Sequence, residues 1–367
     1  FGASTAQLTT IIGVGETAGL STLTVGRVLD ARRERLVMAI ALVIVAVASF
    51  VALGGTTATF AVGFVLVVVG TANCTVAGHS LIGRRVAYAE RARAIGLYET
   101  SWAFALLVGA PIIAGLIALF GWRGPFVALG VASAMMAVVI ARPPRSGADE
   151  AHDDDTAARP AVSDELVATA LGVRRRPDAS AWAIVIGSAG LAVAGLSVFA
   201  VSGAWLDDAF DVPTAGLGAV AMGVGALELA GSTASAGIAD RFGKLRSTLA
   251  GALLQLSDMA VMTQAGDTLR VGVIGILTIL CGIEFAFVTS LSLVTEAMPA
   301  ARGTMIAISS AVGTVSRGAA TIASGALYTT YGIGGTLALS AAGTTVAIAA
   351  FVVGRGRASA VSRPESA

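Results

Sequence analysis

Two short stretches decide how this chain is read: "GRVLDARRER" at residues 26–35 and "GIADRFGKLR" at residues 237–246. Each follows directly on an apolar run and precedes another. Each gathers one aspartate and a knot of basic residues into the length of a tight loop. The chain around them is 56% hydrophobic and only 13% charged, with a mean hydropathy of +0.84. A soluble domain carries about 25% charged residues, so this composition is built for lipid, and sparse charge between long apolar runs marks an integral membrane protein. The 45 glycines suit membrane helices that pack through small residues. Nothing in the composition supports nucleic-acid binding.

A crossing helix needs ~20 mostly apolar residues. Eleven runs qualify, at 7–25, 36–53, 60–82, 94–119, 126–140, 181–206, 217–238, 247–262, 271–294, 304–327 and 334–353. They are continuous rather than alternating, which excludes the short two-faced strands of a membrane barrel. The fold class is therefore an all-α membrane protein. Basic residues collect in alternate loops: Arg27 to Arg35, Arg84 to Arg93, Arg142 to Arg176, Arg241 to Arg246, Arg302, and the tail at Arg355, Arg357 and Arg363. The intervening loops hold only Arg123 and Arg270, and one is acidic, with Asp207, Asp208 and Asp211. The excess of basic charge places the first set in the cytosol. Residue 1 then lies outside, so we expect one further helix before it, giving twelve spans with both termini cytosolic.

The polar stretch near 142–180 separates five runs from six, or six from six with the expected first helix restored. We expect an N-terminal bundle at 1–141, a cytosolic linker at 142–180, a C-terminal bundle at 181–354 and a cytosolic tail at 355–367. In the linker, "SDELVATALG" has the cap and the terminating glycine of a short helix. His152, in "HDDD", has no partner histidine or cysteine nearby, so neither a metal nor a cofactor is expected. Cys74 and Cys281 fall inside spans without ligand spacing and are read as packing residues. The halves also repeat. When Asp30 is laid on Asp240, "GVG" at Gly13–Gly15 falls on "GVG" at Gly223–Gly225, and with the similar runs, loops and topology this points to duplicated halves.

These loops resemble the signature of the major facilitator superfamily, G-x-x-x-D-R-x-G-R-R, between its second and third helices and again between its eighth and ninth. The second copy matches at Asp240, Arg241, Gly243 and Lys244, with Gly237 and Arg246 each one place late. The first matches at Gly26, Asp30 and Arg35, with Ala31 and Arg33 in place of arginine and glycine. "FGWRGPF" at 120–126 is similar to the family's turn between helices five and six. The resemblance implies two pseudo-symmetric helical bundles, with eleven of twelve helices present, working by alternating access. In that scheme the loop aspartates cap helix starts and the basic residues form clasps that open and close during the cycle.

"GAPIIAG" at 109–115 partly resembles the family's antiporter motif: Gly109 and Gly115 flank Pro111, but Leu106 and Ala110 stand where glycines belong. A kink used for packing explains the same residues. Before Gly70 the family's drug antiporters carry an arginine, and this chain has Leu66.

Charges inside spans are expensive and mark function by default: here Glu16, Glu228, Asp258, Glu284 and Arg317. Glu99 and His79 lie nearer span ends, where capping accounts for them. Coupling requires a carboxyl that loads and releases a proton, and Glu228, with Glu16 second, lies near the centre of its span. Arg317 is ~22 Å of helix from Arg302, and Glu16 is ~21 Å from Asp30, so both lie at one depth. Glu284, ~18 Å from Glu296, is the other candidate partner. An intramembrane enzyme would need a nucleophile or metal constellation such as H-E-x-x-H, which is missing. A channel would not call for duplicated halves with charged clasps. The expectation is a monomeric, multi-pass carrier in a bacterial inner membrane with a cytosolic C-terminus. Its partners would be a small-molecule substrate, protons and the lipid bilayer, and its transport proton-coupled efflux of a small organic or amphiphilic compound. Uptake of a sugar or organic acid is the alternative.

Overall fold

The structure is a computed structural model and describes residues 3–22, 24–25, 33–86, 97–98, 100–142, 177–265, 268–298 and 302–361. All regular structure in the described residues is helical. The helices are α1 (Thr5–Thr17), α2 (Glu34–Ala52), α3 (Thr57–Arg85), α4 (Thr100–Phe120), α5 (Arg123–Ala141), α6 (Ala179–Phe210), α7 (Thr214–Phe242), α8 (Lys244–Ala265), α9 (Leu269–Ala297) and α10 (Arg302–Val361). Each apolar run of the sequence has a helix over most of its described residues. Among the described residues, eight helices are long and apolar enough to cross a membrane. α1 stops short because the chain tightens into a 3₁₀ turn at Ala18–Ser21.

α10 carries the last two runs. At Gly332 the backbone leaves helical geometry (φ 63°, ψ −158°), a conformation that favours glycine, and divides α10 into arms at 302–331 and 333–361. In a straight helix Ser324 and Ser340 would be ~24 Å apart. Here both hydroxyls donate to carbonyls within one turn of α6, those of Ser197 and Ala194, so the second arm runs back beside the first. A second glycine turn, Gly243 (φ 89°), joins α7 to α8 inside the sequence "DRFGKLR".

The chain divides into two compact units. The first holds residues 15–101 and 116–174, with 1–2, and the second holds 3–14, 102–115 and 175–367. The expected linker at 142–180 lies almost wholly outside the described residues.

In the first unit α2 shows the logic of a membrane helix. Ala41, Val45, Ala48 and Ala52 are buried at helical spacing, and α3 presses on them so closely that a Cβ on Gly63 would stand 2.9 Å from the Ala48 carbonyl. Leu36, Ile40, Val43, Val47 and Phe50 form a second stripe that is about half exposed. A soluble helix would place polar residues on that outer face; large apolar ones belong against lipid. α5 closes on α2 where Gly130 meets Phe50 and Ser49.

In the second unit α6 runs through the middle, with Leu191, Ala194, Val198 and Val201 fully buried. Asp178 caps its start by accepting from the Ala181 N–H (2.8 Å), and Asp211 ends it in a left-handed conformation. Gly190 and Gly343 bring α6 and the second arm of α10 into backbone contact. Gly251 and Gly282 do the same for α8 and α9, beside a Thr248–Thr289 hydroxyl pair at 2.9 Å. Thr9 and Gly13 of α1 seat against Gly325 and Gly318 of α10.

Candidate functional site

The second unit encloses a cavity of ≈450 Å³. α7 supplies Glu228 from the middle of its length, α9 supplies Glu284, and the first arm of α10 supplies Arg317. The remaining wall is apolar: Trp102 and Leu106 from α4, Leu191 and Phe199 from α6, and Leu280, Ile283 and Phe287 from α9. Three of the intramembrane charges picked out from the sequence therefore share one chamber. Ser232, one turn after Glu228 on α7, donates to Glu284 Oε1 (2.8 Å), tying α7 to α9. Arg317 donates to Thr314 Oγ1 (3.2 Å) on its own helix. It also lines a second cavity of ≈410 Å³ with Ser188, Ser309, Ser310 and Gly313, so it stands at the junction of an acidic chamber and a hydroxyl-lined one. The residues at helical spacing from Arg317 turn inward: Ala320 is 3% exposed and Ser324 is fully buried. Glu16 belongs to the first unit, in the last turn of α1.

α4 is distorted beside the first chamber. Ala105–Gly109 forms a π turn in which the Ala110 N–H bonds back to the Ala105 carbonyl. Pro111 lies just beyond it. A proline has no N–H for the carbonyl four residues back and clashes with it, and a widened turn relieves both problems. The two glycines of the helix-five motif are not contact points: a Cβ on Gly109 or Gly115 meets no described atom within 4 Å. The close contact comes from α7, where a Cβ on Gly225 would lie 2.5 Å from the Leu107 nitrogen and one on Gly218 would lie 2.9 Å from Ala114 Cβ. Sequence reasoning missed these two glycines and Ser232. Gly225 belongs to the repeated "GVG", which held the signal without naming its neighbour.

The loop residues are placed as follows. Gly26 and Asp30 lie outside the described residues. Arg35 sits in the first turn of α2, its Nη1 buried without a hydrogen-bond partner. Next to it Glu34 is buried and accepts from Ser80 Oγ of α3 (3.0 Å). Asp240 is within the last turn of α7, so its backbone precedes the Gly243 turn and does not occupy the cap position of α8. Arg241 places its guanidinium 5.7 Å from the Phe242 ring. Lys244 opens α8 and pairs with Glu296 in the last turn of α9. Arg246 is in the first turn of α8. The second basic loop is thus clasped to the end of α9.

Among the described residues no three histidine, cysteine or acidic side chains gather as a metal site. Cys74 and Cys281 are free thiols, and His79 meets Tyr98 edge-on at 5.1 Å.

Helical hairpins with close glycine contacts, two compact units and a charged chamber within the second suit one kind of molecule, and the sequence profile decides it: the Major Facilitator Superfamily matches over residues 1–321. The chain belongs to that superfamily. Its fold is that of a superfamily transporter in solved structures as well. A bacterial homologue of the human lysosomal transporter Spinster, inward-facing and unoccupied, matches with a TM-score of 0.72 at 16% identity, over 100% of this chain and 92% of that one. A D-xylose–proton symporter matches at 0.68 and 14%, over 96% and 88%. A bacterial homologue of the iron transporter ferroportin matches at 0.67 and 13%, over 94% and 90%. At such identities the likeness is one of fold alone. No curated protein sequence matches the chain. As a superfamily member it is a multi-pass integral membrane protein, in a family of generally non-enzymatic carriers.

Proposed function

We propose that this superfamily member exports a small organic or amphiphilic compound in exchange for protons, by alternating access. One observation carries the reading: a chamber of ≈450 Å³ sets two carboxyls and one guanidinium into otherwise apolar walls. Aromatic and aliphatic walls suit an amphiphile, whereas a sugar needs hydrogen-bonding groups on several sides. Glu228 is the proton carrier. Glu284, held by Ser232, is the second acid, and Glu16 is the reserve candidate on the first unit. Arg317 neutralises whichever carboxyl is ionised at a given step, which ties its contacts to the protonation cycle. Gly26, Asp30 and Arg35 in one loop, and Asp240, Arg241, Gly243, Lys244 and Arg246 in the other, are the clasps that stabilise one state. The Gly109–Pro111–Gly115 segment bends the helix beside the chamber. The carrier works as a monomer in a bacterial inner membrane, its basic loops and C-terminus in the cytosol.

The second reading is uptake of a sugar or organic acid with protons; Arg317 favours the organic acid, because a guanidinium recognises a carboxylate with two parallel hydrogen bonds. The test is flux in reconstituted vesicles under an imposed pH gradient, in both directions, against a panel of organic cations, organic acids and sugars. Glu228→Gln is expected to abolish gradient-driven flux while substrate exchange persists. Gradient-driven flux at the parental rate in that variant removes Glu228 from the coupling step.

A further inference from the structure

The two cavities that meet at Arg317 differ in charge, and the difference sorts what each can hold. Both run along the same helices. On α9 the first chamber is lined from Leu280 to Phe287 and the second from Phe287 to Val294, while Ser309, Ser310 and Gly313 of α10 line the second alone. The second cavity therefore lies nearer the connection between α9 and α10.

Its walls are unlike. On α10, Ser309, Ser310, Gly313 and Arg317 fall at helical spacing and form one polar stripe. On α9, Phe287, Leu291 and Val294 form an apolar stripe at the same spacing. From α6 comes Ser188, only 5% exposed, with a hydroxyl that has no hydrogen-bond partner. Ser197 on the same helix donates to the Val193 carbonyl, as helical serines commonly do. A buried hydroxyl left unpaired is costly, and a polar ligand in the cavity that Ser188 lines would complete it.

Two distances place the guanidinium at this cavity. Its Nη2 donates to Thr314 Oγ1 (3.2 Å), and its Nη1 lies 3.7 Å from where a Cβ on Gly313 would stand. The side chain thus folds back along α10 over Gly313, which lines the second cavity and not the first. Beyond the helix backbone and the chain neighbours, no other described atom comes within 4 Å of that point, so the bare glycine leaves open space beside the charge.

Arg317 alone is charged among the described residues lining this cavity. One guanidinium balances one negative charge, and a second would stay uncompensated in so apolar a wall. The planar fork of donors matches a carboxylate. An anion is repelled from the first chamber whenever Glu228 or Glu284 is ionised there, and an organic cation is repelled from the second. We propose that the second cavity binds an organic monocarboxylate, its head on Arg317 and the hydroxyls of Ser188, Ser309 and Ser310, its apolar body against the α9 stripe. At ≈410 Å³ the cavity has room for a small aromatic or aliphatic acid. This names the class of compound moved, in either direction of transport, and rests on the carrier reading only in calling that compound cargo.

The experiment is calorimetric titration of the purified full chain in detergent with phenylpropionate, phenylpropionamide and phenylpropylamine, one body with different head groups. The carboxylate is expected to bind saturably and about tenfold or more tighter than the amide, and the amine is expected not to displace it. Arg317→Gln is expected to erase the preference for carboxylate over amide. Gly313→Leu extends into open space against the guanidinium; it is expected to abolish carboxylate binding with the unfolding midpoint kept within a few degrees, and it supplies the test by itself if Arg317→Gln does not fold. Ser188→Ala is expected to weaken the carboxylate a few-fold without loss of stability. No saturable binding of the carboxylate, equal affinity for carboxylate and amide, or undiminished binding in Gly313→Leu overturns the proposal. So does displacement of the carboxylate by inorganic phosphate at equal concentration, which would leave the apolar stripe without a part. A carboxylate that binds but is never carried into vesicles would refute the carrier reading and keep the site; gradient-driven flux of other compounds by a protein that does not bind the carboxylate would do the reverse.

Discussion

Gly225 gives the sharpest test of how α4 and α7 are held. Its Cβ position is 2.5 Å from the Leu107 nitrogen, 2.8 Å from Leu106 Cβ and 2.9 Å from the Ala103 carbonyl. Unstrained contact requires about 3.5 Å or more. Gly225→Ala therefore forces the helices apart by about 1 Å, and two of the three obstructing atoms are backbone, which no rotamer change can move. Overpacking of this kind costs roughly 1–3 kcal/mol. Against that stands the ~1 kcal/mol that alanine contributes over glycine in a helix interior. The net is a loss of about 0–2 kcal/mol in stability, but a displacement that reaches the chamber wall at Leu106. Gly109→Ala is the matched control: the same propensity gain, with no described atom within 4 Å of the new methyl. We expect Gly225→Ala to lower the unfolding midpoint or leave it flat while cutting flux at least several-fold, and Gly109→Ala to raise the midpoint slightly with flux retained. The opposite pattern, Gly109→Ala inactive and Gly225→Ala transporting at the parental rate, would refute the packing argument and return weight to the helix-five motif.

Two further predictions follow from the loops. The Lys244–Glu296 pair is partly exposed (35% and 55%), so a double-mutant cycle on stability should give only ~0.2–1 kcal/mol, falling with salt. A larger effect on the rate of transport than on stability would show that the clasp acts on one state of the cycle, and equal small effects would reduce it to a topological anchor. Single cysteines at Asp208 and Arg174 in a background without Cys74 and Cys281 should label from opposite sides of the membrane. Reaction of both with one impermeant outside reagent would reverse the loop assignment.

The spans were legible because length and hydropathy are set by the bilayer: among the described residues, each run from 36–53 to 334–353 lies under a helix. What the runs could not show was how the chain turns between them. The gap before residue 334 reads as a loop, yet Gly332 alone makes the turn and the helix resumes at once. The charged residues of the chamber were legible one by one, since Glu228, Glu284 and Arg317 are conspicuous in apolar sequence. That they meet, and that Ser232 ties two of their helices together, depends on which faces of α7, α9 and α10 turn inward. Uniformly apolar helices hide that, because lipid-facing and protein-facing residues differ in size rather than polarity, as Leu36 and Ala41 on α2 show. Glycines suffer most. Gly109 and Gly225 look equal in sequence, and only the neighbour decides which can accept a side chain. Nor did the loop sequence locate its own turn: the backbone runs on as helix through Phe242, and the turn falls at Gly243.

The reversal at Gly332 also bears on how the chain is made. Only the short polar stretch Tyr328, Thr329, Thr330, Tyr331 and Gly332 separates the two apolar arms of α10, with Tyr331 70% exposed at the turn. So short a connection leaves the last two spans to enter the bilayer as a tight hairpin, an expectation that glycosylation-site or protease mapping at the turn would check. An epitope or a protease site spliced in at 332 would therefore disturb biogenesis itself, whereas the same insertion beside Asp211, where α6 ends in a left-handed turn before Pro213, would meet chain that already pauses there.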